Sequence, residues 1–190
     1  MLKKIGKILA GLLGILILAI GLSYLLAPNT IELHLETEID APAEEVWQIL
    51  AHQFDDIDTW SASVSESQAI TLNEVPNGFT ADPASPYPGR ITIAGPGVKA
   101  TEVITEYSEE DMMFTFEGVD LPPLVFEYAK DTQRIIPMGE GKSKVTFDVS
   151  MKTRGIFKAV NPLLAARFTS SFTTIQQELK VYAETGQVLQ

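Results

Sequence analysis

The fold of this chain is decided by residues 31–60, which read IELHLETEIDAPAEEVWQILAHQFDDIDTW. Residues 31–36 alternate between apolar and polar side chains, which predicts a half-buried strand. Pro42 suits the first turn of a helix, so a short helix is predicted directly after the strand. A second short helix is predicted over Asp55–Trp60. A strand followed by two short helices is therefore expected at the start of the folded domain.

The middle of the chain, from Val64 to Lys152, has the pattern of strands and turns. Turns rich in glycine and proline separate short apolar runs. Several of these runs alternate cleanly, as Thr101–Tyr107 and Val145–Met151 do. Such alternation is typical of an antiparallel sheet with one face in water. No helical pattern lies between the strands, which argues against a parallel sheet of βαβ units.

The chain closes with a long amphipathic helix, predicted over Pro162–Glu184. Asn161 is expected to cap its N-terminus and Gly186 to end it. Its apolar residues recur every three or four positions and form one stripe: Leu164, Phe168, Phe172, Ile175, Leu179 and Tyr182. The predicted fold class is α+β, in which a curved antiparallel sheet of about seven strands wraps around this helix and buries the stripe.

The N-terminal 28 residues form a separate segment. Residues 8–27 are 20 consecutive positions without a charge, enough to cross the hydrocarbon core of a bilayer as a helix. Three lysines precede this stretch, so the positive-inside rule predicts a cytoplasmic N-terminus and a domain, residues 29–190, on the outer (periplasmic or extracellular) side. The alternative is a cleaved signal peptide, with a weak cleavage site at Gly21 and Ser23.

Small residues recur along one side of this predicted transmembrane helix, at Gly6, Ala10 and Gly14. Such spacing allows two helices to approach closely. A weak homodimer through this face is therefore possible on sequence grounds, although small residues are common in membrane spans.

Charge is unevenly distributed along the chain, whose net charge is −11. The part after residue 28 carries 11 bases and 25 acids, so nucleic acid is not an expected partner. Residues 142–167 nevertheless hold six bases and one acid. They surround the small amphipathic segment 155–160, a combination that suits the surface of an anionic membrane. The alternative is that these charges pair within the fold and the apolar residues pack inward.

Three pieces of sequence resemble a known superfamily. They are residues 38–47 (EIDAPAEEVW), residues 54–60 (FDDIDTW) and the end of the closing helix, residues 179–186 (LKVYAETG). Together they resemble the SRPBCC superfamily of START-like, helix-grip proteins, which includes polyketide cyclase/dehydrase-like proteins and lipid-transfer domains. The resemblance extends from residue 31 to about residue 187. None of the three pieces is specific to one activity.

The resemblance implies a deep, mostly apolar cavity between the sheet and the last helix. Its ligand would be a hydrophobic small molecule, such as a lipid, an isoprenoid or a similar amphiphile. Residues that could line it are aromatic and lie on the strands and helices; the alternative is that they simply fill the core. The candidates are Trp60, Tyr107, Phe114, Phe116, Phe126, Tyr128, Phe147, Phe168 and Phe172.

Arg90 is the polar candidate for the same cavity. If its side chain points inward, it would meet an anionic group of the ligand, because a buried charge needs a partner. Alternation, however, predicts that Ile91 and Ile93 point inward and that Arg90 points outward into solvent.

No catalytic constellation is visible in the sequence. There is no cysteine, which excludes disulfides and thiol chemistry, and His34 and His52 are the only histidines. The acids near His52 are better explained as a solvated turn than as a metal site, so neither a metal nor a cofactor is predicted. The favoured hypothesis is membrane-anchored binding of a hydrophobic small molecule, with membrane lipid as a partner. The alternatives are a polyketide cyclase/dehydratase-like enzyme and a non-catalytic interaction module.

Overall fold

The computed structural model of the protein describes residues 2–95 and 97–189, and of residues 2–4, 6, 8 and 10 it describes the backbone only. Its helices are α1 (Leu2–Leu26), α2 (Ala43–Trp47, extended by a π-helical turn over Gln48–His52) and α3 (Asn161–Thr185). Its strands are β1 (Thr30–Ile39), β2 (Val64–Ala69), β3 (Gly89–Ala94), β4 (Val98–Ser108), β5 (Met113–Gly118), β6 (Phe126–Pro137) and β7 (Ser143–Thr153). Short 3₁₀ turns cover Phe54–Thr59, Leu72–Glu74 and Gly155–Val160.

The seven strands form one antiparallel sheet in the order β1-β7-β6-β5-β4-β3-β2. The predicted helix-grip architecture is therefore confirmed, with two short helices after the first strand and a long helix at the end. The strands from β3 to β7 pair in sequence across short connections, β2 pairs with β3 although residues 70–88 separate them, and β1 returns to pair with β7. This closure brings the start and the end of the domain together.

The inner face of the sheet is the face that α2, the 54–59 turn and α3 cover. Thr37 donates a hydrogen bond of 3.0 Å from its hydroxyl to Gln176 Oε1, which places α3 along the inner side of β1. Val145, Phe147, Val149 and Met151 of β7 alternate inward and are all buried, as the sequence pattern predicts. The main core lies between this face and the helices.

The outer face of the sheet is not exposed to solvent along its whole length. Residues 70–81 fold back over β3 and β4, where Ile70, Ala81 and Val103 form a second buried cluster with Ile91 packed against it. Apolar residues of β3 therefore point outward, toward this covering segment. The residues between them, Arg90 and Thr92, point inward and are buried.

The boundaries of α3 agree with the sequence pattern except at its first residue. Gly186 ends the helix with a φ of 70°, a left-handed conformation that glycine adopts without strain. Asn161 is not the N-cap, because it is itself helical. Its side chain instead accepts a hydrogen bond from Thr153 and donates one of 2.9 Å to the carbonyl of Pro28.

The C-terminal end of α1 contacts the 155–160 turn. Ser23 Oγ donates a hydrogen bond of 2.5 Å to the carbonyl of Ala159, and the Lys158 ammonium lies 5.5 Å from the centre of the Tyr24 ring. Within the described part of the chain, no helix combines the length and the apolarity that crossing a membrane requires. Gly6 and Ala10 of the predicted dimer face lie outside the described side chains, so the structure gives that homodimer no support.

Candidate ligand-binding site

The first half of α3 lies along β1 on the inner face of the sheet, where several apolar side chains pack against the core but are not fully covered. Leu33 and Leu35 point inward from β1, and Leu164, Phe168 and Phe172 point toward the core from α3, yet all five are only half-buried. We call the partly exposed apolar surface that these five residues form the inner groove. Phe147 forms its floor: this ring is fully buried and its centre lies 6.4 Å from that of Phe172. The inner groove is thus an apolar surface that the protein covers only in part.

The second half of α3 is held by buried polar contacts as well as by apolar ones. Glu178 is 3% exposed and accepts hydrogen bonds from the hydroxyls of Ser61 and Ser63, at 2.5 and 2.8 Å. Gln176 bonds Thr37 and also donates to the carbonyl of Leu35 at 3.2 Å. Leu179, on the same half of the helix, is completely buried.

Several of the predicted aromatic residues fill the core on the other side of the inner face. Phe54 of the 54–59 turn packs at 5.6 and 5.8 Å from Phe114 and Phe116, measured between ring centres. Trp47 packs at 5.5 Å from Tyr107. Trp60, Phe114, Phe116 and Phe147 are buried, while Tyr107, Phe168 and Phe172 are half-buried. Contact with a ligand remains a prediction for all of these residues.

Two predicted residues lie at the beginning of β6. The Tyr128 hydroxyl is 3.3 Å from Ser150 Oγ, which donates to Glu32 on the outer face. Tyr128 therefore points outward and does not line the inner face, contrary to the sequence-based expectation. Phe126 is half-buried opposite Thr153, and a β-bulge separates it from Tyr128, so strict alternation does not connect the two.

Arg90 points inward, so the expectation that it is solvated was wrong. It is 6% exposed, and its Nε donates a hydrogen bond of 2.6 Å to Glu102 Oε2. Its NH1 donates to the carbonyl of Phe54 at 2.7 Å, and the guanidinium lies 3.9 Å from the centre of that ring. Glu102 thus supplies the anionic partner that the sequence reasoning assigned to a ligand.

Asp131 is a second inward acid, and the sequence reasoning missed it. It lies on the inner face of β6 between Phe116 of β5 and Val149 of β7, and it is 2% exposed. Oδ2 accepts a hydrogen bond of 2.8 Å from Gln133 Nε2, whereas Oδ1 has no partner among the described residues. Burial raises the pKa of this carboxyl from 3.8 to about 7, against the lowering effect of Gln133.

A signal for Asp131 does exist in the sequence. Residues 130–134 read KDTQR, a wholly polar run inside a strand whose ends are apolar. Because side chains alternate along a strand, some members of such a run must point inward. Asp131 and Gln133 alternate with the same period as the apolar residues Ala129 and Ile135. This spacing would have assigned Asp131 and Gln133 to the inner face.

A further polar cluster surrounds Glu109 in the turn after β4. Its carboxylate accepts hydrogen bonds from Trp47 Nε1 at 2.9 Å, from His52 Nε2 at 3.0 Å and from the Tyr107 hydroxyl. The bond from Tyr107 is the main cause that lowers the pKa of Glu109, and burial raises the pKa of Tyr107. The carboxylate ties α2 to the β4–β5 turn, so the arrangement is explained by structure alone.

Two cavities lie outside the inner face. One, of about 300 Å³, is bordered by residues 72–81. The other, of about 360 Å³, lies on the outer side of β1, β7 and β6 and includes His34 and Asp148. Hydrogen bonds that His34 donates to the carboxylates of Asp148 and Glu36 raise the pKa of this histidine. Of the five residues of the inner groove, only Leu33 borders one of these two cavities, the second.

Comparison with known proteins agrees with this architecture. The family model for polyketide cyclase / dehydrase and lipid transport proteins matches residues 30–184. The chain therefore belongs to this family. No curated protein matches the chain in sequence.

Solved structures of similar fold come from bacteria and plants. A START superfamily protein from Mycobacterium smegmatis is 12% identical, with a TM-score of 0.61 over 82% of this chain and 99% of the other. Truncated norcoclaurine synthase from Thalictrum flavum is 17% identical, with a TM-score of 0.59 over 83% and 96%. Major latex-like protein 151 from Panax ginseng is 14% identical, with a TM-score of 0.63 over 82% and 99%. At these identities the similarity establishes the fold.

Proposed function

We propose that this protein binds a hydrophobic small molecule in the inner groove. The observation that carries the proposal is the set of apolar side chains on β1 and α3 that lie on the inner side of the sheet and remain partly exposed. Apolar surface that faces a core is normally covered, since each Å² removed from water contributes about 25 cal/mol. A ligand in the groove would cover it, whereas a non-catalytic module with a collapsed cavity would leave no such surface.

We further propose that the domain is held at a membrane and that the ligand is a lipid, isoprenoid or similar amphiphile of the bilayer. Residues 8–27, which carry no charge, would be the anchor, with the domain on the outer side. The sequence supports this part, and the side chains of residues 8 and 10 lie outside the described set. The 155–160 turn adds support, because it contacts the end of α1 and exposes Ile156 and Phe157 beside Lys158.

Native mass spectrometry of the full chain in lipid nanodiscs tests groove binding. We expect a small-molecule adduct, and uptake of a pyrene-labelled fatty acid beyond that of empty nanodiscs. Phe172→Ala should weaken uptake because it removes one wall of the groove. Leu163→Ala is the matched control, since Leu163 lies on the same helix but is 71% exposed outside the groove. Absence of both adduct and uptake in the unmodified protein would contradict the proposal.

A second candidate function is the cyclase/dehydratase-like enzyme. The observation that favours it is Asp131, an inward carboxyl whose pKa of about 7 suits proton transfer at neutral pH. Incubation of the protein with the molecule recovered from it, followed by mass spectrometry, tests this function. Loss of one water from that molecule, abolished by Asp131→Asn, would support the enzyme; an unchanged mass would count against it.

A further inference from the structure

One end of the sheet carries apolar side chains that the domain does not cover. Leu124, in the loop between β5 and β6, is 81% exposed, and Ile156, in the 155–160 turn, is 66% exposed. The two segments are joined, because the backbone N–H of Arg154 donates a hydrogen bond of 2.7 Å to the carbonyl of Val125. We call the exposed apolar residues of these two segments the end patch, and its members are Leu124, Ile156, Phe157 and Val160.

The charge around the end patch is positive, although the domain as a whole is acidic. Residues 149–177 contain four bases and no acid. Two of these bases, Arg154 and Lys158, lie within or beside the 155–160 turn and form no ion pair with any side chain that the structure describes. Exposed apolar residues beside unpaired bases suit the interface of an anionic bilayer, because the former enter the lipid and the latter meet its phosphates.

The position of the 155–160 turn beside α1 agrees with such an interface. Ser23 Oγ bonds the carbonyl of Ala159, so the turn lies level with residue 23 of α1. The uncharged stretch of the sequence ends at Ala27, which is about 6 Å farther along a helix. With residues 8–27 as the anchor, the turn therefore lies about 6 Å inside the end of the apolar stretch. Interfacial apolar faces enter a bilayer to about 5–10 Å, which includes this depth.

We propose that the end patch inserts into the surface of an anionic bilayer and gives the domain a second membrane contact besides α1. This inference rests on the membrane part of the proposed function. The partner is a phospholipid with an anionic headgroup, whose phosphate oxygens accept hydrogen bonds from Arg154 and Lys158. Leu164, at the start of the inner groove, follows Val160 by about one helical turn. Docking would therefore bring this end of the groove to the lipid surface, from which its ligand would enter.

Spin labels on the full chain in nanodiscs of phosphatidylglycerol and phosphatidylcholine test this contact. The chain has no cysteine, so single labels can be introduced as Leu124→Cys or Ile156→Cys. Electron paramagnetic resonance should show that both labels are more accessible to oxygen than to a water-soluble nickel complex, as labels within a bilayer are. Leu72→Cys is the matched control, since Leu72 is 70% exposed and lies in the segment that follows β2; its label should remain accessible to the nickel complex.

Removing charge from the protein or from the lipid tests the anionic partner. Arg154→Gln combined with Lys158→Gln should lower the ratio of docked to undocked label at Ile156→Cys by about 25-fold, since each base near an anionic surface contributes about fivefold. Nanodiscs of phosphatidylcholine alone should lower the ratio similarly. Arg134→Gln combined with Lys142→Gln is the matched control, because it removes one arginine and one lysine near the opposite end of β6; the ratio should not change. Thermal unfolding of each variant confirms that it is folded.

The failure of this inference is distinguishable from the failure of the proposed function. Protein that co-purifies with nanodiscs but whose labels at Leu124→Cys and Ile156→Cys are as accessible to the nickel complex as the label at Leu72→Cys would overturn docking, while the anchor stands. An equal docked ratio in anionic and in zwitterionic nanodiscs would overturn the anionic partner. Protein that does not co-purify with nanodiscs at all would overturn the membrane part of the proposed function itself.

Discussion

Asp131 links the stability of the domain to pH. Its carboxyl retains its proton up to a pKa of about 7 in the fold, whereas the ordinary value is 3.8. Between these pH values the unfolded chain has released the proton and the folded chain has not, so stability falls as pH rises through this window. The pKa difference corresponds to about 4 kcal/mol.

We therefore expect Asp131→Asn to gain stability relative to the unmodified protein by up to about 4 kcal/mol between pH 4 and pH 8. The measurement is urea unfolding of both proteins at several pH values. Glu66→Gln serves as the control for the inner position, because Glu66 is an exposed carboxylate on β2. A stability difference between Asp131→Asn and the unmodified protein that does not change with pH would contradict the pKa shift.

At the scale of the secondary-structure elements, the pairing of β3 with β4 depends on Gly89. A Cβ atom at this position would lie 2.1 Å from the carbonyl oxygen of Glu102 and 3.0 Å from Val103 Cα. Both contacts are with backbone that is fixed in the sheet. This close approach also positions Arg90, the next residue, beside Glu102 on the inner face.

Gly89→Ala should destabilise the domain by about 3 kcal/mol, since β3 must shift away from β4 to accommodate the methyl group. Gly118→Ala is the matched control, because its Cβ would meet Leu121 Cδ2 at an ordinary 3.6 Å. Urea unfolding measures both. Equal losses in the two variants would show that the close approach is not the cause.

The two halves of α3 differ in how they are held. Gln176, Glu178 and Leu179 are buried, whereas Leu164, Phe168 and Phe172 are half-buried along the groove. Local opening is easiest where few buried contacts hold a segment.

Backbone amides of residues 165–172 should therefore exchange with deuterium faster than those of residues 176–183. Hydrogen exchange with mass spectrometry measures this difference. Because a ligand in the groove would cover the first half, a bound pyrene-labelled fatty acid should slow exchange in residues 165–172 selectively. Uniform exchange along α3 would contradict the division into two halves.

At the scale of the whole molecule, Asn161 connects α1 to the domain. This residue is completely buried, and it bonds both Thr153 at the end of β7 and the carbonyl of Pro28 in the link after α1. Together with the bond from Ser23 to Ala159 it determines how the domain is placed on α1.

Asn161→Ala should broaden the distances between α1 and the domain, because the link loses its fixed hydrogen bond. The chain has no cysteine, so spin labels can be introduced cleanly as Leu22→Cys and Leu72→Cys, both exposed. Double electron–electron resonance measures the distance distribution. Asn77→Ala, a change in an exposed turn, is the control, and an unaltered distribution in Asn161→Ala would contradict the role of the buried amide.

The order of elements could be predicted from the sequence, because each element satisfies a local rule. The apolar stripe of α3 has helical spacing, and Gly186 ends it in the left-handed conformation. The residues of β7 alternate with a period of two and bury the expected set. Most of the sheet and the positions of Phe168 and Phe172 beside the groove followed from such patterns.

Only the tertiary structure decided which face of some strands is the inner one. A period of two divides the residues of a strand into two sets but does not state which set faces the main core. The more apolar set usually does, but in β3 that set faces outward, because segment 70–81 covers the outer side of this strand. A β-bulge near Thr105 then lets Ile104 and Tyr107 share the inner face. Arg90, Glu102 and Asp131 became neighbours through strand pairing over distances that no local pattern encodes. The sequence by itself determined the elements and their order, and long-range packing determined the polar interior.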